Sequence, residues 1–181
     1  MKLITYDNFE LKVADEAFLI RPIRELFEAD KSKKKENFFR QISYMYFMID
    51  PRSTYQYITD KDERAAEIKR QEGFEDDWQP SQKLRNAMDI YAAHVVSSQS
   101  LLIEDTRLCI DRVRGFLRDV DLSSKDKNGK PVYQISSITN AIRQIPELAK
   151  ALSDAERSLQ KDFEEQDSVR GNKDKSVFED F

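Results

Sequence analysis

Residues 80–120 read PSQKLRNAMDIYAAHVVSSQSLLIEDTRLCIDRVRGFLRDV, and residues 135–166 read ISSITNAIRQIPELAKALSDAERSLQKDFEEQ. In the first stretch Leu84, Met88, Tyr91, Val95, Leu102, Cys109, Val113, Phe116 and Val120 fall on steps of three, four or seven. Such steps place them on one stripe of a helix. Pro80 suits a first helical position, where the N–H it lacks has no partner to lose. In the second stretch Ile138, Ile145, Leu152 and Leu159 recur every seven residues, with Ile142, Ala149 and Phe163 beside them. Ser136 or Ser137 can cap its start, because a hydroxyl there accepts from a backbone N–H without a helical partner. Pro146 removes one i→i−4 bond, which predicts a kink or a break near Gln144. Closing the two stripes on each other gives the expected fold class: an all-α helical bundle dominated by a long antiparallel helical hairpin over 80–166.

The connection between these stretches, residues 121–134, holds Lys127-Asn128-Gly129-Lys130-Pro131. Asn-Gly tolerates positive φ, so a small β-hairpin can form at the loop tip.

The first eighty residues are built differently. Leu3, Phe9, Leu11 and Val13 alternate with polar residues, which is compatible with a short extended arm or strand over 1–14. Residues 18–27 read as a helix, with Pro22 in its first turn and Ile23, Leu26 and Phe27 on one face. Lys31 to Lys35 is a basic break. Residues 37–49 are apolar around most of a helix (Phe38, Phe39, Ile42, Tyr44 to Ile49) and so must be covered by other elements. Asp50-Pro51 ends that core helix. Thr59 or Asp60, with Glu63 following, marks the cap of a polar helix that stops at Gly73. An acidic linker around Trp78 completes a short-helix region over 15–79. Residues 1–166 are thus expected to form a single helical domain.

Residues 167–181 lack apolar periodicity and cannot offset their own ordering entropy, so they read as a flexible C-terminal tail. The tail nonetheless ends in Val177-Phe178-Glu179-Asp180-Phe181. Val177, Phe178 and Phe181 are the candidate partner-docking residues; folding back onto the chain's own core is the other reading.

Composition bounds the function. Eleven Phe and seven Tyr in 181 residues supply a core, while four Gly and five Pro disfavour all-β and loop-rich folds. Charged residues make up 35%, yet the net charge is only −4, which argues against a chain-wide nucleic-acid footprint. No apolar run is long enough to span a bilayer, and the charged N-terminus does not read as a secretory signal. Cys109 is the single cysteine; it fits a reducing compartment and, on the stripe, a buried structural thiol. His94 is the single histidine, so neither a zinc site of the usual type nor a nucleophilic triad assembles within one chain. The glycines are too scattered to cradle a phosphate, and Glu75-Asp76-Asp77 and Glu104-Asp105 lack the spacing of a calcium loop. Lys31 to Lys35 reads as a solvated turn, with phosphate contact as the alternative. Arg112, Arg114 and Arg118 suit surface pairing with Glu104, Asp105, Asp111 and Asp119, or charged rims between subunits. The chain is therefore expected to be no enzyme and to hold no metal and no cofactor.

The segment Tyr44-Met45-Tyr46-Phe47-Met48-Ile49-Asp50-Pro51-Arg52-Ser53-Thr54-Tyr55, followed by Asp62-Glu63-Arg64 and the polar helix to Gly73, resembles small virion proteins of large tailed bacteriophages, crAss-like phages among them. The resemblance covers roughly residues 38–75. It implies a structural component of the virion, assembled in the host cytoplasm. Among such components, head–tail connector or ring proteins are similar in form: small helical bundles in a ring, with a C-terminal tail reaching a neighbour. The implied partners are other copies in a homo-oligomeric ring and portal, neighbouring ring or tail proteins. A helical regulatory or nucleic-acid-associated protein is the other class left open.

Overall fold

In a computed structural model of the chain, residues 3–7, 10–75 and 77–171 are described. The docking residues Val177, Phe178 and Phe181 lie outside them. The chain divides into two units, residues 1–97 and 98–181.

The first unit is built around the helix with the densest apolar face. That helix, α2 (Glu36–Ile49; helices are numbered in chain order), buries Phe38, Ile42, Tyr44, Met45, Tyr46 and Phe47. Before it, α1 (Arg21–Ala29) carries Pro22 in its first turn and buries Ile23 and Leu26. After it come α3 (Lys61–Gln71) and α4 (Gln82–Val95), both of which pack on α2, while α1 packs on α4. Asp60 caps α3, its carboxylate accepting from the N–H groups of Asp62 and Glu63, both at 2.9 Å. Gly73 follows α3 with φ +67°, the left-handed geometry that ends a helix.

The N-terminus departs from the expected single arm and from an all-α fold. Strands β1 (Ile4–Asp7) and β2 (Glu10–Val13) pair antiparallel, with Ile4 opposite Val13 and Tyr6 opposite Leu11. The same alternation serves one strand or two. The chain doubles back because Leu3 and Ile4 reach the core, at 2% and 0% exposure, and the partly buried Leu11 and Val13 pack against it.

The second unit corrects the other main expectation. Residues 80–120 are not one helix. They form α4 and, separately, α5 (Ser98–Asp119), with Val96 extended at φ −83° and ψ 120°. Leu84, Ala87 and Tyr91 are fully buried in the first unit, so α4 belongs there and the helical pair begins only at Ser98. The compact units divide between residues 97 and 98, within the stretch read above as 80–166.

Helix α6 runs from Ile135 to Gly171 without a break at Pro146. Pro146 denies a partner to the carbonyl of Ile142, but both residues are exposed, so water can take that lone pair. The helix starts one residue before the expected caps, with the Gln134 carbonyl accepting from the N–H groups of Ser137 and Ile138. At the loop tip the hairpin shrinks to one bridge, Lys125 opposite Pro131. Asp126 organises it by accepting from the N–H groups of Asn128 and Lys130, and Gly129 has φ +75°.

Candidate assembly surface

The most deeply buried polar group of the first unit is engaged through both of its oxygens. Asp50, read above only as a helix stop, is wholly buried. Its Oδ1 accepts from the N–H and Nε of Arg52 at 2.9 and 2.8 Å. Its Oδ2 accepts from Arg52 Nη2 and Tyr91 Oη, both at 2.6 Å. Arg52 Nη2 also donates to the Ile4 carbonyl at 2.9 Å. One buried carboxylate thus ties β1, the end of α2 and α4 together. Burial, then the Asp50 charge and the hydrogen bond, drive the Tyr91 hydroxyl pKa well above that of an ordinary tyrosine. Burial followed by the same charge pushes Tyr46 up to about 12. Burial opposes the Arg52 charge, but its hydrogen bond to Asp50 and the Asp50 charge outweigh that and raise its pKa. Every strong donor here points at Asp50 or a backbone carbonyl, the signature of a structural knot.

The basic break has a similar explanation. Lys35 Nζ donates to the carbonyls of Asp30 and Phe27 at 2.6 and 3.1 Å, and Lys31 Nζ to that of Glu28 at 3.0 Å. Both lysines cap the C-terminus of α1, where cations are favoured. Asp30 in turn accepts from the N–H groups of Phe38 and Ser32, which hold its carboxyl below the usual carboxylate range. Lys31, Lys33 and Lys34 are exposed, and Lys35 is half-buried.

In the second unit the pattern reverses: little is buried and much apolar surface is left over. Helices α5 and α6 pack together. Arg107 Nη2 meets Glu156 Oε1 at 2.6 Å, and the Gln99 amide, turned to suit its neighbours, donates to Asp162 at 2.9 Å. The seven-residue repeat Ile138, Ile145, Leu152 and Leu159 faces inward, each residue buried or half-buried. On α5 the inward residues are Ile103, Ile110 and Leu117, one position on from the stripe expected above. Of that stripe Leu102 is 61% and Phe116 41% exposed, and Cys109, expected to be buried, is exposed, while Val113 and Val120 are half-buried. Both sets have a seven-residue spacing. Arg107, beside the inner set, pairs across to Glu156, so the inner set meets α6.

Further apolar surface lies on α6 and the loop. Ile135 and Ile142 are 74% and 51% exposed, Leu122 and Val132 of the loop are exposed as well, and Phe116 and Tyr133 form an edge-to-face pair at 5.6 Å. Among the described residues of this unit, only Ile103 and Ile138 are buried apolar side chains. His94, in the first unit, is exposed, its Nδ1 lying 2.8 Å from the Ile90 carbonyl. Of the surface pairs expected on the long helix, Arg114 with Asp111 is present at 3.4 Å; the cross-helix pair of Arg107 and Glu156 was not anticipated. Among the described residues no cluster of His, Cys, Asp and Glu could hold a metal, and no helix is long and apolar enough to cross a membrane.

The architecture thus defined is a mostly helical chain with a two-stranded antiparallel sheet. Comparison with protein-family models, curated proteins and solved structures gave no match.

Proposed function

We propose that this chain is a non-enzymatic structural subunit that assembles with other chains through residues 98–171. The observation that carries the reading is the incomplete burial of α5 and α6. Two helices that, among the described residues, bury only Ile103 and Ile138 of their apolar side chains, while exposing Leu102, Phe116, Ile135 and Ile142, need another surface to complete their core. In the first unit the buried Asp50 and Tyr91 and the half-buried Arg52 are committed to holding its elements, which supports a structural role for them. Taken with the resemblance to tailed-phage virion proteins, the role becomes that of a head–tail connector or ring subunit. In it, Val177, Phe178 and Phe181 would seat on a portal or neighbouring ring protein.

A nucleic-acid-associated role is weaker, because Lys31 and Lys35 spend their charges on the end of α1. Light scattering on the purified chain separates the two. The assembly reading expects a mass that is a multiple of 21.3 kDa and rises with concentration. A constant monomer mass together with salt-sensitive DNA binding would overturn it.

A further inference from the structure

The exposed stripe of α5 carries enough information to specify a partner. Leu102, Cys109 and Phe116 recur every seven residues, and Cys109 sits at the middle of the 22-residue helix Ser98–Asp119. Three residues on from each stripe position lie Asp105, Arg112 and Asp119, which share one edge of the stripe because a three-residue step returns close to the same face. Asp105 and Arg112 are both exposed.

Two copies of this helix can meet in two ways. Side by side and parallel, with the stripes facing, the edge that carries Asp105 and Arg112 lies against the opposite edge of the other copy, so these charges do not meet across the seam. Antiparallel about Cys109, residue 105 of one copy comes level with residue 113 of the other, and Asp105 meets Arg112 twice. The apolar layers then match as well: Leu102 against Phe116, Cys109 against Cys109, Phe116 against Leu102. Because Cys109 is central, this register overlaps the whole helix, about 33 Å at 1.5 Å per residue. The apolar layers and the full overlap fit either direction; the charge pattern selects the antiparallel one.

We propose that α5 pairs with α5 of a second copy of this chain, antiparallel, with the two-fold axis passing at Cys109. The pairing deepens the assembly reading above and rests on it. It leaves the exposed Ile135 and Ile142 of α6 for a further neighbour.

The single cysteine makes the geometry testable. The wild-type chain, treated with a short bis-maleimide, is expected to give a covalent dimer that denaturing electrophoresis resolves. A second variant carries Cys109→Ser with Ser98→Cys. Antiparallel pairing holds its two thiols about 33 Å apart, so it is expected not to cross-link, whereas parallel pairing would cross-link both proteins. Charge variants give an independent reading. Asp105→Arg and Arg112→Asp singly turn two attractive pairs into two repulsive ones, and each is expected to weaken dimerisation about thirtyfold. The double exchange restores the attraction and is expected to recover the wild-type constant. If the protein is oligomeric by light scattering but Cys109 does not cross-link, or the double exchange fails to recover, this pairing is overturned and the assembly reading survives. A chain that stays monomeric overturns both.

Discussion

Replacing Tyr91 by Phe should reveal how much of the first unit hangs on the Asp50 knot. The substitution keeps the ring that α4 buries and deletes only the hydroxyl, which donates to Asp50 Oδ2 at 2.6 Å. A buried hydrogen bond to an ionised acceptor contributes about 2 kcal/mol, a roughly thirtyfold change in the folding equilibrium. Asp50 keeps three donors from Arg52, so nothing else in the knot is orphaned. The chain carries one tryptophan, Trp78, packed on Phe74 and Tyr44 inside this unit, so urea unfolding followed by its fluorescence reports the first unit alone. With a urea slope of about 1.3 kcal/mol per molar, the midpoint should fall by about 1.5 M. Asp50→Asn is the matched comparison. It sets an N–H₂ group among donors and leaves Arg52, only 20% exposed at its side chain, without its counter-charge, at about 3–5 kcal/mol. A shift below about 0.4 M for Tyr91→Phe, or equal shifts for the two variants, would refute the claim that this carboxylate organises the unit.

Three further outcomes follow from the same geometry. Asp30→Ala removes the acceptor for the Phe38 and Ser32 N–H groups and should cost about 2 kcal/mol in the same assay, while Lys33→Ala and Lys34→Ala should cost less than about 0.5 kcal/mol. Alkaline pH should destabilise the first unit. Tyr46 and Tyr55 are pushed up to about 12 and Tyr91 is raised further, so the unfolded chain releases protons near pH 10 that the folded one retains. Stability is thus undiminished below about pH 10 and declines as pH rises towards 12; a flat urea midpoint across that window would contradict the assigned burial. In the second unit, Arg107→Ala should lower stability by about 1 kcal/mol, read as lost helical circular dichroism on heating, and Glu156→Gln should add little to it if the two act as a pair.

Local signals in the sequence were readable where one residue decides the backbone. Pro22 in a first turn, Asp60 as a cap and Gly73 with positive φ all carry their reason in their own chemistry. Helix α2 was readable because a segment apolar on most sides has to be a core element. The break after α4 was not. Val96 and Ser97 carry no proline or glycine, and the apolar steps run through them unchanged. The helix ends because Tyr91 and Leu84 are drawn into the core of the first unit, a tertiary effect. The phase of α5 was ambiguous for another reason: residues 102, 109 and 116 and residues 103, 110 and 117 are equally periodic. Only the match of Arg107 with Glu156, 49 positions away, tells them apart. The same distance problem hid Asp50, whose partner Tyr91 lies 41 residues on.

The sparse burial in α5 and α6 also has a consequence for the life of the protein in a cell. The first unit has its own core and can fold as soon as it leaves the ribosome. On the proposed assembly, the second would gain much of its stability by mass action, so it should be fully ordered only once copies reach the concentration at which they associate. Surplus chains would then present an open, cleavable helical pair to proteases, and turnover would trim their number to the stoichiometry of the finished assembly.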